Sequence, residues 1–194
     1  MSATFDAKAA WMRLEESGAY LKGHFLLTTG RHSNQIFLLA RLTERPDWLS
    51  PWAEALAGRL EPYRCHTVVG PAVGGIIPAY AVAGYWPGAR MLFAEKSDDG
   101  MMRFKRGFRI EPGEKVVVVE DAVTTGSSVA KVVAAVKEQG GLVQAVGALI
   151  DRSEGSLRFS EPLVSLIQTG HIPNWDPQDC PLCQQGMPLS RPKS

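Results

Sequence analysis

The chain is poor in cysteine, with Cys65, Cys180 and Cys183 as its only three among 194 residues. So small and odd a number cannot staple a secreted domain together, and it suits a reducing compartment. An excess of one charge is also missing. Lys and Arg number 21 against 20 Asp and Glu, a net charge of +1. No diffuse attraction for nucleic acid or an anionic membrane follows, so an anionic ligand must be gripped locally. Long apolar runs are missing as well. The richest stretch, 72–89, is broken by Gly74, Gly75, Pro78, Gly84, Pro87 and Gly88, which reads as a loop, a short buried helix and a turn rather than a membrane span. The opening MSATFDAKAAWMRLEESG mixes acids with apolar residues and fits neither a signal nor a transit peptide, so a cytoplasmic protein is expected. Neither GxxxxGK[ST] nor GxGxxG occurs, which argues against nucleoside-triphosphatase and dinucleotide-binding readings. No repeat and no low-complexity segment is present.

What is there is an alternation of strands and helices, of a length suited to one domain, 1–194, with elaborations. Residues 3–17 read as an amphipathic helix, and GHFLLTTGRHSNQIFLLA as two short strands around a Thr-Gly turn. Ser50-Pro51 reads as an N-cap and first helical residue, opening a helix to about Leu60 with Trp52, Leu56 and Leu60 on one stripe. Strand HTVVG, a helix from Ile76, strands RMLFA and KVVVVE, a helix 127–139, strand VQAVGALI and a late strand near PLVSLI follow. These strands are continuous apolar runs, as a parallel sheet covered on both faces requires. The helix 127–139 sets Val129, Val132, Val133 and Val136 on one face and stops at Gly140-Gly141. Between RMLFA and KVVVVE lies EKSDDGMMRFKRGFRIEPGE, a long charged insertion of the kind used as a lid over the sheet's carboxyl edge.

The segment VVVVEDAVTTGSS, residues 116–128, carries the strongest chemical signal. In an open α/β sheet ligands bind outside the carboxyl ends of the strands. Backbone N–H groups of the Thr-Thr-Gly-Ser-Ser turn, a helix dipole and up to four hydroxyls can surround one phosphate. Glu120 and Asp121 would repel that phosphate, so they must face something else, and sugar hydroxyls or a metal-bound water suit them. The combination describes a sugar phosphate. The plainer alternative is a strand-end turn with solvated acids, Thr124 or Ser127 merely capping the helix. A second loop, GPAVGG at 70–75, allows close backbone approach and a second anion at a helix start; taken alone it could equally serve packing.

These residues resemble a known family. VVVVEDAVTTGSS is similar to the phosphoribosyl-diphosphate (PRPP) signature of type I phosphoribosyltransferases, and GPAVGG resembles their diphosphate loop. GHFLLTTGRHSNQIF resembles the hood of the orotate-specific members, as does IDRSEG after the strand that follows the signature. The lid and the tail DCPLCQQGMPL resemble a Thermus-type branch. The resemblance implies an α/β fold with a central, mostly parallel sheet flanked by helices, the first helix and hood within 1–45, a long flexible lid loop at 94–110 and a C-terminal tail at 171–194. It implies Mg²⁺-dependent transfer of ribose 5-phosphate from PRPP to orotate, in a homodimer whose lid reaches the neighbouring site. Glu120 and Asp121 would then hold the ribose hydroxyls. Ala122, Val123, Thr124, Thr125, Gly126, Ser127 and Ser128 would bind the 5′-phosphate, and Ala72, Val73, Gly74 and Gly75 the diphosphate. Thr124, Arg152 and Phe37 would meet orotate. The metal would travel with PRPP, with no direct protein ligand and at most a water between it and Asp121.

The sequence departs from the pattern in the lid. Where the better-known orotate enzymes carry RKExKxHG, FAEKSDDG keeps only Glu95, Asp98 and Gly100 in register. Lys96, one position from an expected lysine, is the candidate catalytic cation, with Arg103 and Lys105 behind it. Alternatively, all three belong to a solvated charged loop. Thr28 stands where the family's hood carries lysine, and Ala122 and Ser127 replace bulkier and glycine residues. A purine or other base as acceptor, or a PRPP-binding regulator without turnover, are the competing functions. The CPLC pair lacks two further zinc ligands at finger spacing, His171 being the nearest helper. It reads as a tail packed against a partner subunit, and His24 and His32 as structural or surface residues.

Overall fold

The computed structural model describes residues 5–157 and 159–192. Helix α1 spans Ala7–Glu16, because the Asp6 carboxylate accepts from the backbone N–H groups of Lys8 (2.9 Å) and Ala9 (3.1 Å) and fixes the start; residues 3 and 4 of the expected 3–17 lie outside the described residues. Two hood strands follow, β1 (Tyr20–Leu26) and β2 (His32–Phe37), paired antiparallel. Helices α2 (Ala40–Thr43) and α3 (Pro46–Arg59) lead to strand β3 (Thr67–Pro71) and helix α4 (Ile76–Ala83). Strands β4 (Arg90–Lys96), β5 (Met102–Phe104) and β6 (Lys115–Val123) precede helix α5 (Ser127–Glu138). Strands β7 (Leu142–Asp151), β8 (Leu163–Gln168) and β9 (Asn174–Trp175) and the short helix α6 (Pro181–Gln184) complete the order.

The main sheet has the order β5-β4-β3-β6-β7-β8, parallel except for β5. Successive side chains of a strand point to opposite faces, and the valine run of β6 divides accordingly. Val117 and Val119 join Leu14, Leu49, Trp52, Leu56, Leu60 and Val82 on the α1, α3 and α4 side. Val116 and Val118 join Val129, Val132, Val133 and Val136 of α5. The strand is therefore apolar at every step because it has no wet face.

Two expectations need correction, and the tail makes contacts within its own chain. Helix α3 begins at Pro46, and Pro51 lies inside it; Ser50 caps nothing. A proline suits the first helical residue, and here Pro46 supplies it one turn earlier than Pro51. The lid is not a loose loop. Met102–Phe104 pairs antiparallel with Ala94–Lys96, closing a hairpin through Ser97–Met101 with Gly100 at φ 76°, and Met102 and Ile110 pack under α5. The tail docks on the hood of its own chain. β9 adds to the free edge of β2, while Leu26 N–H donates to the Ser190 carbonyl (3.0 Å) and Ser190 N–H to that of His24 (2.8 Å). Two hood strands alone would leave both edges unpaired, and the tail satisfies them.

Candidate active site

The carboxyl ends of β3 and β6 place the glycine loop and the acid pair against each other. A Cβ built on Gly74 would lie 2.8 Å from Asp121 Oδ2, and one on Gly75 would lie 3.0 Å from Glu120 Oε1 and 2.9 Å from the Val119 carbonyl. Gly70 is tighter still, since its Cβ would meet the Gly75 carbonyl oxygen at 2.3 Å. The loop can be this close to β6 only without side chains.

Glu120 is buried, and Asp121 is half-buried beside it. Asp121 N–H donates to Glu120 Oε1 (3.1 Å) and Ala122 N–H to Asp121 Oδ1 (2.6 Å). Burial first, and the neighbouring Asp121 charge second, push the Glu120 carboxyl up to about 9. Desolvating two adjacent carboxyls without a cation disfavours ionising both, so the pair is built to meet hydroxyl donors or positive charge. Immediately after it, Ala122–Ser128 curls around a concavity of about 140 Å³ at the N-terminus of α5. Gly126 at φ 71° makes that turn, and Thr124, Thr125, Ser127 and Ser128 are exposed around it. Exposed hydroxyls at the positive end of a three-turn helix suit a phosphate.

On the other side of Asp121 lies a cleft of about 520 Å³ walled by Phe37, Arg41, Asp121, Ala122, Thr124 and Arg152. Strand β7 ends at Asp151, and Arg152 N–H donates to the Val123 carbonyl (2.8 Å), which fixes the Arg152 backbone beside the acid pair. Its guanidinium lies 5.0 Å above the Phe37 ring, and its buried Nε has no hydrogen-bond partner among the described residues. Burial pulls the Arg152 pKa down, and the charge of Asp121 opposes that. A half-buried guanidinium stacked over an aromatic ring at a cleft wall has the shape and charge to suit a planar anion. Phe37 is itself fixed by Tyr20 (4.9 Å) and Trp11 (6.1 Å).

The structure thus brings together Glu120, Asp121, the 122–128 turn, the 72–75 loop, Thr124, Arg152 and Phe37. It holds the lid cations elsewhere. Arg103 pairs with Asp99, Arg106 with Glu95 (3.1 Å), and Lys105 Nζ reaches the Lys96 carbonyl (3.4 Å). Lys131 Nζ donates to the Gly100 carbonyl (2.7 Å), tying the hairpin to α5. Among the described residues, neither Lys96, Arg103 nor Lys105 lines the two cavities. His171 is also elsewhere, pairing with Glu154 (2.9 Å). Arg41 is a wall residue that sequence reasoning passed over; its position in the short α2 just after Phe37 was the available signal.

Comparison with known proteins gives a consistent result. A family model described as the phosphoribosyl transferase domain matches residues 53–182. The chain is 49% identical over 181 residues to the orotate phosphoribosyltransferase of Thermotoga maritima, covering 93% of this chain and 95% of that one. It is 45% identical over 179 residues to that of Desulforamulus reducens, with 92% of each covered. Among solved structures, orotate phosphoribosyltransferase from Aeropyrum pernix superposes with a TM-score of 0.69 at 28% identity, over 82% of this chain and 92% of that one.

Proposed function

The chain belongs to the phosphoribosyltransferase family, and we propose that it is an orotate phosphoribosyltransferase. It makes orotidine 5′-phosphate and diphosphate from orotate and PRPP, a step of pyrimidine biosynthesis. The observation that carries the choice of base is Arg152, a half-buried guanidinium over an aromatic ring in a cleft that adjoins the sugar-directed acids. Orotate is a planar base bearing a carboxylate, which a guanidinium pairs in bidentate fashion.

The residues divide the work. The 122–128 turn holds the 5′-phosphate through backbone N–H groups and hydroxyls. Glu120 and Asp121 accept the ribose hydroxyls and set the sugar's orientation. The 72–75 loop presents backbone donors to the diphosphate. Arg152, with Thr124 and Phe37, positions orotate. The bond from C1 of ribose to the diphosphate oxygen breaks, a bond to a ring nitrogen of orotate forms, and the nitrogen's proton leaves to solvent. Positive charge develops on the ribose as negative charge accumulates on the leaving group, so alignment and electrostatics supply most of the acceleration.

Two adjacent carboxyl groups, one of them with its pKa raised by burial and by its neighbour's charge, fit a Mg²⁺ ion that arrives with PRPP, since hard cations take oxygen donors and retain waters. When bound, that ion neutralises charge on the diphosphate. Asp121 is the residue that would reach it, directly or through water. The exposed Val73, Ile77 and Tyr80 beside and on α4 support a homodimer, and among the described residues no helix is long and apolar enough to cross a membrane.

The test is product formation with PRPP and Mg²⁺, offering orotate, adenine, hypoxanthine and uracil separately. Turnover with orotate alone is expected. Preference for a purine would overturn the base assignment, and no product from any base would favour a PRPP-binding regulator.

A further inference from the structure

Four side chains from two distant parts of the sequence converge between the hood and the tail: His24 of β1, His32 of β2, and Cys180 and Cys183 flanking and within α6. Their ligating atoms all lie within 4.8 Å of one another. His24 Nε2 is 3.0 Å from His32 Nδ1, 3.4 Å from Cys180 Sγ and 3.7 Å from Cys183 Sγ, and Cys183 Sγ is 3.3 Å from His32 Nδ1. With zinc–nitrogen bonds of about 2.0 Å and zinc–sulfur bonds of about 2.3 Å, a tetrahedral centre has edges of about 3.3 Å (N to N), 3.5 Å (N to S) and 3.8 Å (S to S). The His24–His32 separation and the three nitrogen–sulfur separations above lie within about 0.3 Å of the corresponding edges.

We propose that these four residues form a structural zinc site that staples the C-terminal tail to the hood. The outer nitrogen of His24 faces the Met187 carbonyl at 2.8 Å. A proton donated there leaves the Nε2 lone pair directed at the cluster, the tautomer that a metal-binding imidazole needs. The cluster has two sulfurs, two ring nitrogens and no carboxylate, a set that selects zinc over magnesium or calcium. Zn²⁺ displaces one proton from each thiol, and two thiolates with two neutral imidazoles then balance the ion's charge. A neutral centre is compatible with His24, His32 and Cys180 being buried. With all four positions taken by protein, the centre has no open coordination site and its role is structural.

The staple bears on the base-binding cleft. Phe37 ends the strand that His32 begins, and Pro192, nine residues beyond Cys183, also lines that cleft. Fixing the tail to β1 and β2 therefore fixes the cleft's outer wall. This inference does not depend on which base the enzyme uses.

The full-length protein, expressed with zinc supplied and dialysed into metal-free buffer without chelator, should contain about one zinc per chain, and Cys180→Ser and Cys183→Ser should each lose it. Cys65→Ser should keep it. Should the variants fold poorly, Co²⁺ exchanged into the unaltered protein gives a separate reading. Intense visible d–d bands with a near-ultraviolet thiolate-to-cobalt band are expected from a tetrahedral sulfur–nitrogen site. A zinc content far below one per chain, a weak octahedral cobalt spectrum, or a Cys180–Cys183 disulfide in anaerobically isolated protein would each overturn the proposal.

Discussion

Replacing Glu120 by Gln should change how stability depends on pH. In the folded chain burial and the adjacent Asp121 push the Glu120 carboxyl up to about 9, whereas an unfolded glutamate titrates near about 4.3. Between those values the native state holds a proton that the unfolded state has released. Stability from this group is therefore fully present below the unfolded pKa and lost as pH rises toward 9. One such proton corresponds to a fall of about 1.4 kcal/mol in unfolding free energy per pH unit. The proton belongs to the pair, and glutamine leaves only Asp121 to titrate. Urea unfolding of both proteins at constant ionic strength, across pH of about 5.5 to 8, reads the difference directly. The unaltered protein should lose stability relative to Glu120→Gln by about 1.4 kcal/mol per pH unit. At the same time the variant should bind PRPP more weakly, since an acceptor for ribose hydroxyls has been changed. Parallel pH profiles for the two proteins would refute the idea that the free site stores a proton.

Two other substitutions separate site from scaffold. Gly74→Ala brings a methyl group to 2.8 Å from the Asp121 carboxylate alone, so PRPP affinity should fall about tenfold or more with little loss of stability, while Gly70→Ala presses on the Gly75 carbonyl and should cost about 1–3 kcal/mol of folding stability. Calorimetric PRPP binding and thermal unfolding check the pair; equal effects of both on stability would count against the assignment. If the lid serves a neighbouring site, mixing Lys96→Ala subunits with Asp121→Asn subunits should restore part of the activity that each homodimer lacks, and confirmed mixed dimers without recovery would argue against lid sharing.

The local patterns in the sequence were enough for the parallel strands of the sheet and for the turn that opens α5. A valine at every step of 116–119 has no alternative to two covered faces, and a turn of small hydroxyl residues before an amphipathic helix marks its N-terminus. Three features were not legible. The start of α3 was ambiguous because two prolines, Pro46 and Pro51, could each open a helix, and only packing of Leu49 into the core decides between them. The lid's charge concealed a hairpin, whose apolar anchors Met102 and Ile110 are too few to show a period. The His–Cys cluster was missed because its members are joined by strand pairing across a sequence separation of more than 150 residues, and no spacing rule reaches that far. Arg41 was overlooked for a similar reason: its place in the cleft is set by a chain turn after Phe37, not by a motif.

Arg152 is the residue proposed to recognise the base. Steady-state kinetics of Arg152→Ala with orotate, alongside calorimetric binding of PRPP, test it most directly. A guanidinium making two charge-assisted hydrogen bonds of about 1.5–3 kcal/mol each predicts a loss of at least about 100-fold in kcat/KM for orotate. PRPP affinity, which the proposal assigns to residues 72–75 and 120–128, should stay within about threefold of the unaltered protein, because a surplus guanidinium adjacent to that site contributes little binding energy to it. Unchanged orotate kinetics, or a loss confined to PRPP binding, would contradict the account.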